Sequence, residues 1–338
     1  PHPLRDPPQT THTTTTTPQQ AAHSPLLING ALLDMVVTMA CMEAMETLAE
    51  VLAVTRIKKR EMTQPDRVQE LLASGDPGQV FASLVGPALF DDPILVQARH
   101  DVEKWTAQGM DLVSVLSDRY PARLRDVREA PALLYYEGVL DPGDQGVCVV
   151  GSRDADDNAL HVASHVATAL VETGLTVVSG LAAGIDAAAH TAALEAGGRT
   201  VAVMGTGLER TYPRRHADLR ARIVEAGGLV LTQFEPGATV GRVNFPMRNA
   251  VMSGYGITTF VVSASEYSGT RSQAYNAVKH GRGVILARRV VESTSWGQEL
   301  AHTGRAMVAD STADILAHVR ALQAERAQAE ELLREIVA

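Results

Sequence analysis

The sequence predicts an α/β protein built on an extended, doubly wound, mostly parallel sheet, preceded by a smaller helical region. Three observations carry this. Short Val-rich runs recur from residue 146 onward: Val147–Val150, Thr176–Ser179, Thr200–Met204, Leu229–Thr232, Ile257–Ser263, Gly283–Ala287 and a weaker one at Ala306–Ala309. Ala-rich stretches of helical character, such as residues 158–174, separate most of them. Continuous apolar runs suit strands buried on both faces, and their alternation with helices marks βαβ units. The chain has 338 residues, 45% of them hydrophobic, which is enough for one large core or two ordinary ones.

The elements follow in order. Residues 1–24 are rich in Thr, Pro and Gln and have no apolar run, which excludes a signal peptide and predicts a disordered tail. Residues 25–140 read as mostly helical. The apolar stretch Leu26–Val54 is interrupted by Asp34, Glu43, Glu46 and Glu50, so a buried helix, broken near Asn29-Gly30, is expected rather than a membrane span. That helix runs to about residue 62 and ends in the basic cluster Arg56–Arg60, which suits the negative end of a helix dipole. Further helices are expected over 65–84, after Pro65, and over 93–109, closed by Gly109. Asp111–Leu116 reads as a short strand or turn, 120–127 as helix-like, and 131–145 as a short strand entering a Pro/Gly linker. The doubly wound domain is placed at 146–318, and 319–338 is a charged amphipathic helix suited to packing or to a partner.

Composition excludes several functions. The net charge of −9 argues against a general polyanion binder, so any nucleic-acid contact needs a local basic patch. The only cysteines, Cys41 and Cys148, exclude a disulfide scaffold and a cysteine zinc finger, and they fit a reducing cytoplasm.

In a doubly wound sheet, ligands bind beyond the carboxyl ends of the strands. Small residues gather at four such ends: Gly151-Ser152-Arg153, Ser179-Gly180 running on to Gly184, Gly205-Thr206-Gly207, and Ser268-Gly269-Thr270. Glycine lets a phosphate approach the backbone, and helix N-termini supply oriented N–H donors, although tight βα turns need glycine in any case. A dinucleotide fingerprint is missing after the first Val-rich run, and neither a P-loop nor the HExxH or GxSxG motif occurs. Asp186 and His190, spaced i, i+4, read as a turn cap and a packed histidine rather than a metal pair, and no metal or cofactor is expected.

Charge distribution discriminates further. Between Glu209 and Arg248 lie Arg210, Arg214, Arg215, Arg220, Arg222, Arg242 and Arg248 against Glu209, Asp218, Glu225 and Glu235; between Arg271 and Arg289 there is no acid at all. Most of the scarce aromatics, from Tyr212 to Trp296, share this half. Arginine among aromatics suits single-stranded nucleic acid, where guanidinium meets phosphate and rings stack on bases; helix-surface pairing and core packing are the alternative uses of the same residues.

The runs GSR (151–153), SGLAAGIDAAAHTAAL (179–194), GTGLERTYPRRHADLRARI (205–223), NFPMRNAVMSG (244–254) and SGTRSQA (268–274) resemble the DNA-processing protein A family, DprA or Smf. Trp105–Leu124 and PALLYYEG (131–138) resemble the stretch before its Rossmann-like domain, so the resemblance covers roughly 100–318. It implies an extended Rossmann-like fold and a cytoplasmic, non-catalytic protein that binds single-stranded DNA. It also implies help in loading a RecA-type recombinase during DNA uptake, and a homodimer. Carried over by position, Arg153 contacts a backbone phosphate next to Gly151 and Ser152; Ser179, Gly180 and Gly184 shape the adjacent turn, with Gly205 and Gly207 beyond it; Phe245 lies against a base; Arg248 and Asn249 line the groove; Ser268 and Gly269 form the opposite wall. Departures at Ala250, Thr232-Gln233, Gln273 and Ala287–Arg289 mark a divergent member. The competing reading is a nucleotide-binding or nucleotide-hydrolysing enzyme or sensor related to phosphoribohydrolases, although no glutamate follows Gly269 where that chemistry needs one. A scaffold acting through its terminal helix is a third reading.

Overall fold

A computed structural model describes residues 44–58, 61–86 and 92–337. The tail at 1–24, the break near Asn29-Gly30, Cys41 and the end of the basic cluster at Lys59-Arg60 lie outside the described residues.

The front of the chain is helical: α1 (44–56), α2 (Gln64–Ser74), α3 (Pro77–Val85) and α4 (Pro93–Ala107). Each of the last three has proline in its first turn, where a missing N–H costs nothing. Thr63 and Asp66 form a reciprocal capping box on α2, and Asp76 and Asp92 cap α3 and α4. There follow β1 (Asp111–Ser114), α5 (Ala122–Arg125), β2 (Leu133–Gly138), β3 (Gly146–Val150), α6 (Asp157–Glu172), β4 (Thr176–Ser179), α7 (Ile185–Glu195) and β5 (Thr200–Val203). Beyond these come a 3₁₀ turn (Arg214–His216), α8 (Ala217–Glu225), β6 (Leu229–Thr232), α9 (Asn244–Tyr255), β7 (Thr258–Val261), α10 (Gly269–Lys279), β8 (Gly283–Ala287), α11 (Arg288–Ser293), α12 (Ser295–His302), β9 (Met307–Ala309) and α13 (Thr312–Val337).

The nine strands among the described residues form one sheet in the order β1-β2-β6-β5-β4-β3-β7-β8-β9. The seven Val-rich runs are its parallel strands, each within a few residues of its expected bounds. β1 and β2 extend it antiparallel, with Tyr135 opposite Thr232 and Tyr136 opposite Leu231. The expected Rossmann-like sheet is therefore prolonged by two strands from the front region. β2 can join because Leu133–Tyr136 are buried and Gly138 packs against the Gly228 carbonyl, where a Cβ would come within 2.2 Å.

Alternation along the strands feeds two cores. Val147 and Val149 pack with α6, α7 and the start of α13, whereas Cys148 and Val150 face the side holding α9, α10 and the front helices. The chain winds from β3 through β4 and β5 to β6, then returns across the sheet through α9 to enter β7 beside β3. The direction of winding reverses between β3 and β7, so the loops after them diverge and leave a crevice.

Candidate nucleic-acid interface

The crevice at the β3/β7 switch point is a cleft of about 410 Å³. Its lining includes Gly151, Ser152 and Arg153 from the loop after β3, Phe245, Arg248 and Asn249 from α9, and Ser268, Gly269 and Gln273 at the start of α10. A smaller recess of about 190 Å³ adjoins it, lined by Gly180, Gly205, Tyr212 and Arg215 and sharing Arg153, Phe245 and Arg248. Residues from all four small-residue strand ends thus converge on one place.

Helix α9 organises the cleft. Phe245, Arg248, Asn249 and Met252 recur at helical spacing and form one of its faces. Pro246 is tolerated because it stands in the first turn. Arg248 is only 5% exposed. Its Nη1 donates to the Val203 carbonyl at 3.3 Å and lies 3.9 Å from the Asp186 carboxylate. That guanidinium crosses directly over Gly180, where a Cβ would fall 1.2 Å from Nη1. Asp186 in turn accepts the Gly180 and Ala182 N–H groups at 3.1 and 3.3 Å, holding a turn in which Leu181 has φ of 56°. Burial pushes the Asp186 carboxyl upward, opposed by Arg248 and the backbone donors. Burial likewise pulls the Arg248 guanidinium down, opposed by Asp186.

The remaining glycines mostly serve protein contacts. Gly184, at φ of 75°, lets the loop after β4 close on the Ser152 carbonyl, where a Cβ would approach to 2.3 Å. Gly151 abuts Ile185, Gly205 lies under the Phe245 ring, and Gly207 meets the carbonyls of Glu235 and Pro236. Ser179 is buried and donates to the Val149 carbonyl at 2.7 Å. Gly269 alone of this set has nothing within 4 Å of a Cβ position and faces open space.

The exposed chemistry is narrower than the motif list. The Arg153 guanidinium lies 4.7 Å from the centroid of the Phe245 ring, and Tyr212 stands 5.9 Å beyond that ring, centroid to centroid. Opposite, α10 begins at Gly269 with no side-chain cap from Ser268, so the Gly269 and Thr270 N–H groups are left uncapped while the Arg271 N–H donates to the Ser268 carbonyl at 3.2 Å, and the Ser268 Oγ is buried without a partner among the described residues. Asn249 ties the two walls by donating to the Gly269 carbonyl at 3.2 Å. Ser152 closes its own loop, its Oγ donating to the Asp154 carbonyl at 3.0 Å, while its N–H donates to Ser263 at 3.4 Å.

Tyr212, Arg215, Thr270 and Gln273, named in the sequence but not assigned to the site, also line it. The first two stand in the run TYPRRH that carried part of the resemblance. Asp186 and His190 behave as the cap and packed histidine expected. His190 is fully buried, with Nδ1 2.7 Å from the Thr200 Oγ1. Because that hydroxyl donates to the Val177 carbonyl, Nδ1 carries the proton of a neutral ring; burial pulls its pKa down to about 3. Among the described residues no group of three or more His, Cys, Asp or Glu is placed to hold a metal ion.

The family model for DNA recombination-mediator protein A matches residues 111–320. The chain belongs to that family. The matched residues contain the whole sheet, β1 and β2 included, and every residue of the cleft. Protein Smf of Synechocystis sp. is 39% identical over 171 residues, covering 49% of this chain and 43% of the relative. DNA processing protein DprA of Streptococcus pneumoniae is 40% identical over 173 residues, covering 51% and 61%. The matched regions therefore span about half of the length of these curated relatives. The crystal structure of the S. pneumoniae DprA superposes with a TM-score of 0.65 and 31% identity, covering 80% of this chain and 97% of that one. DNA processing protein A of Helicobacter pylori, whose structure was described for its single-stranded DNA binding mode, shares the fold at a TM-score of 0.56 and 20% identity, covering 64% and 96%.

Proposed function

We propose that this chain binds single-stranded DNA in the switch-point cleft, without catalysing a reaction on it. One observation carries the reading. An exposed arginine stacks on an aromatic ring beside an uncapped helix N-terminus, which places donors for a phosphate and a flat surface for a base within one cleft. Arg153 contacts the backbone phosphate, the first N–H groups of α10 take the next one, and Phe245 and Tyr212 face the bases. Arg248 contributes fixed positive charge from beneath rather than a direct contact, and Gly180 makes room for it. Ser179, Gly184, Gly205 and Gly207 shape the walls.

Most carboxylates close to the cleft are engaged in the fold, the exception being Asp154, which lines the cleft with its carboxylate unpaired among the described residues. Asp186 accepts two backbone N–H groups beside Arg248, Asp156 pairs with Arg289, and Glu266 accepts from Ser295. No glutamate follows Gly269, where phosphoribohydrolase-type nucleotide hydrolysis needs one, and this supports a binding role. By family membership we extend the proposal to a DNA-processing role in which the bound strand is passed to a RecA-type recombinase, with a homodimer as the working unit.

Titration of fluorescently labelled oligo-dT, with unlabelled duplex and deoxynucleoside monophosphate as competitors, tests the reading. Saturable binding that short duplex and monophosphate displace poorly is expected. Binding confined to the monophosphate, or its hydrolysis, would replace this proposal with the nucleotide reading.

A further inference from the structure

Helix α9 has a second working side. Met247 and Ala250 point away from the face bearing Phe245, Arg248, Asn249 and Met252, and they line a separate cavity of about 800 Å³. Its other walls come from α1, α2 and α4, from Ala130–Leu133, and from the loop after β6. Trp105 and Tyr135 are packed edge to face here at 5.4 Å. The volume falls in the range of small-molecule sites, and aromatic and aliphatic surface there alternates with charged and amide side chains.

Its chemistry is opposite to that of the switch-point cleft. The charged lining residues are Asp101, Glu209 and Glu235 against Arg56 and Lys104, together with Glu129, which is paired outside the cavity with Lys279 and His280. Arg56 is held between two of these carboxylates, donating to Glu235 at 3.0 and 2.7 Å and pairing with Asp101 at 2.7 Å. Among the described residues that line the cavity, Arg56 is thus not left over for an anion, and Lys104 is outnumbered by the carboxylates. Two polar atoms remain unanswered. The Tyr135 hydroxyl belongs to a side chain only 2% exposed that forms no hydrogen bond among the described residues, and the Gln233 Nε2 is buried with no partner among them. A buried polar group without a partner is costly, and a ligand bearing hydrogen-bonding edges removes that cost.

We propose that this cavity binds a planar heteroaromatic small molecule, uncharged or cationic. Its ring system lies against the aromatic floor, its polar edge meets Tyr135 and Gln233, and the surplus of carboxylates rejects phosphates. The site stands whether or not the other cleft takes DNA.

The test uses nuclease-treated, DNA-free protein with proflavine, a planar cation, and 9-anthracenecarboxylate, an anion of similar size, both followed by fluorescence anisotropy. Saturable binding of proflavine is expected, at least about tenfold tighter than the anion, with quenching of Trp105 emission. Tyr135→Phe weakens proflavine by about threefold to tenfold. Met247→Trp, which fills the cavity from the α9 side, abolishes it. Should Tyr135→Phe fold poorly, Glu209→Gln and Met247→Trp, both at exposed positions, carry the test. Non-saturable binding, equal binding of the anion, or affinity unmoved by Met247→Trp overturns the proposal.

Discussion

The two sides of α9 differ in what their charges do. Toward the switch point, Arg248 is buried against Asp186 and supports the Gly180 turn, while Arg153 is exposed, lies over the Phe245 ring and has no carboxylate partner among the described residues. On the far side, Arg56 is locked between Asp101 and Glu235, and carboxylates outnumber cations. One side therefore presents an unpaired arginine and open N–H groups, whereas the other presents aromatic surface with its arginine already paired and carboxylates in excess. Net charge, at −9, hides this division, because what matters for a ligand is which cations have no carboxylate of their own.

The sharpest way to break this contrast is to remove the buried cation. Arg248→Ala leaves Asp186 in a buried site without its partner and opens a void over Gly180, and we expect a loss of about 3 kcal/mol in urea denaturation. Gly180→Ala forces its Cβ into the same guanidinium and is expected to cost about 2 kcal/mol by the same measurement. If either variant unfolds like the parent, Arg248 is not the support assigned to it.

Acidification sharpens the account of what lies beneath the cleft. His190 is neutral and buried, with a folded pKa of about 3 against an ordinary value of 6.5, and Arg248 and His216 add to the effect of burial. Between those values the unfolded chain binds the proton that the native state refuses. Stability therefore falls as pH drops below about 6.5, by up to about 1.4 kcal/mol per pH unit from this residue. Melting curves of the parent and His190→Gln from pH 7 to 4.5 should converge as the pH falls; parallel curves would show that the ring is not held neutral.

On the far side, Arg56→Leu removes the clasp joining α1 to α4 and to the loop after β6. The pair is partly exposed, so a loss of only about 1 kcal/mol is expected, with oligonucleotide affinity unchanged. A change in that affinity would mean that the two sides are coupled through α9.

Much of this was legible in the sequence. Buried parallel strands announce themselves locally, so the Val-rich runs mark β3 to β9 closely, and the small residues after them gather around one cleft. What was not legible depends on contacts between residues distant in sequence. Glycine is needed wherever anything approaches closely, and sequence does not say whether that neighbour is a phosphate or, as at Gly180, an arginine from α9. Arg153 and Arg248 look equivalent in a motif, yet one is exposed and the other buried. The pairing of β2 with β6 joins segments about a hundred residues apart, and the cavity at Trp105, Tyr135 and Gln233 forms only once they meet.

The central claim is that Arg153, which has no carboxylate partner among the described residues, is the cation that meets a phosphate in the cleft. Anisotropy titrations of labelled oligo-dT over a salt series, on the parent and Arg153→Ala, test it most directly. The variant should fold with parental stability, bind about tenfold more weakly, and show a salt slope smaller by about one. Equal affinity and an unchanged slope would contradict the account.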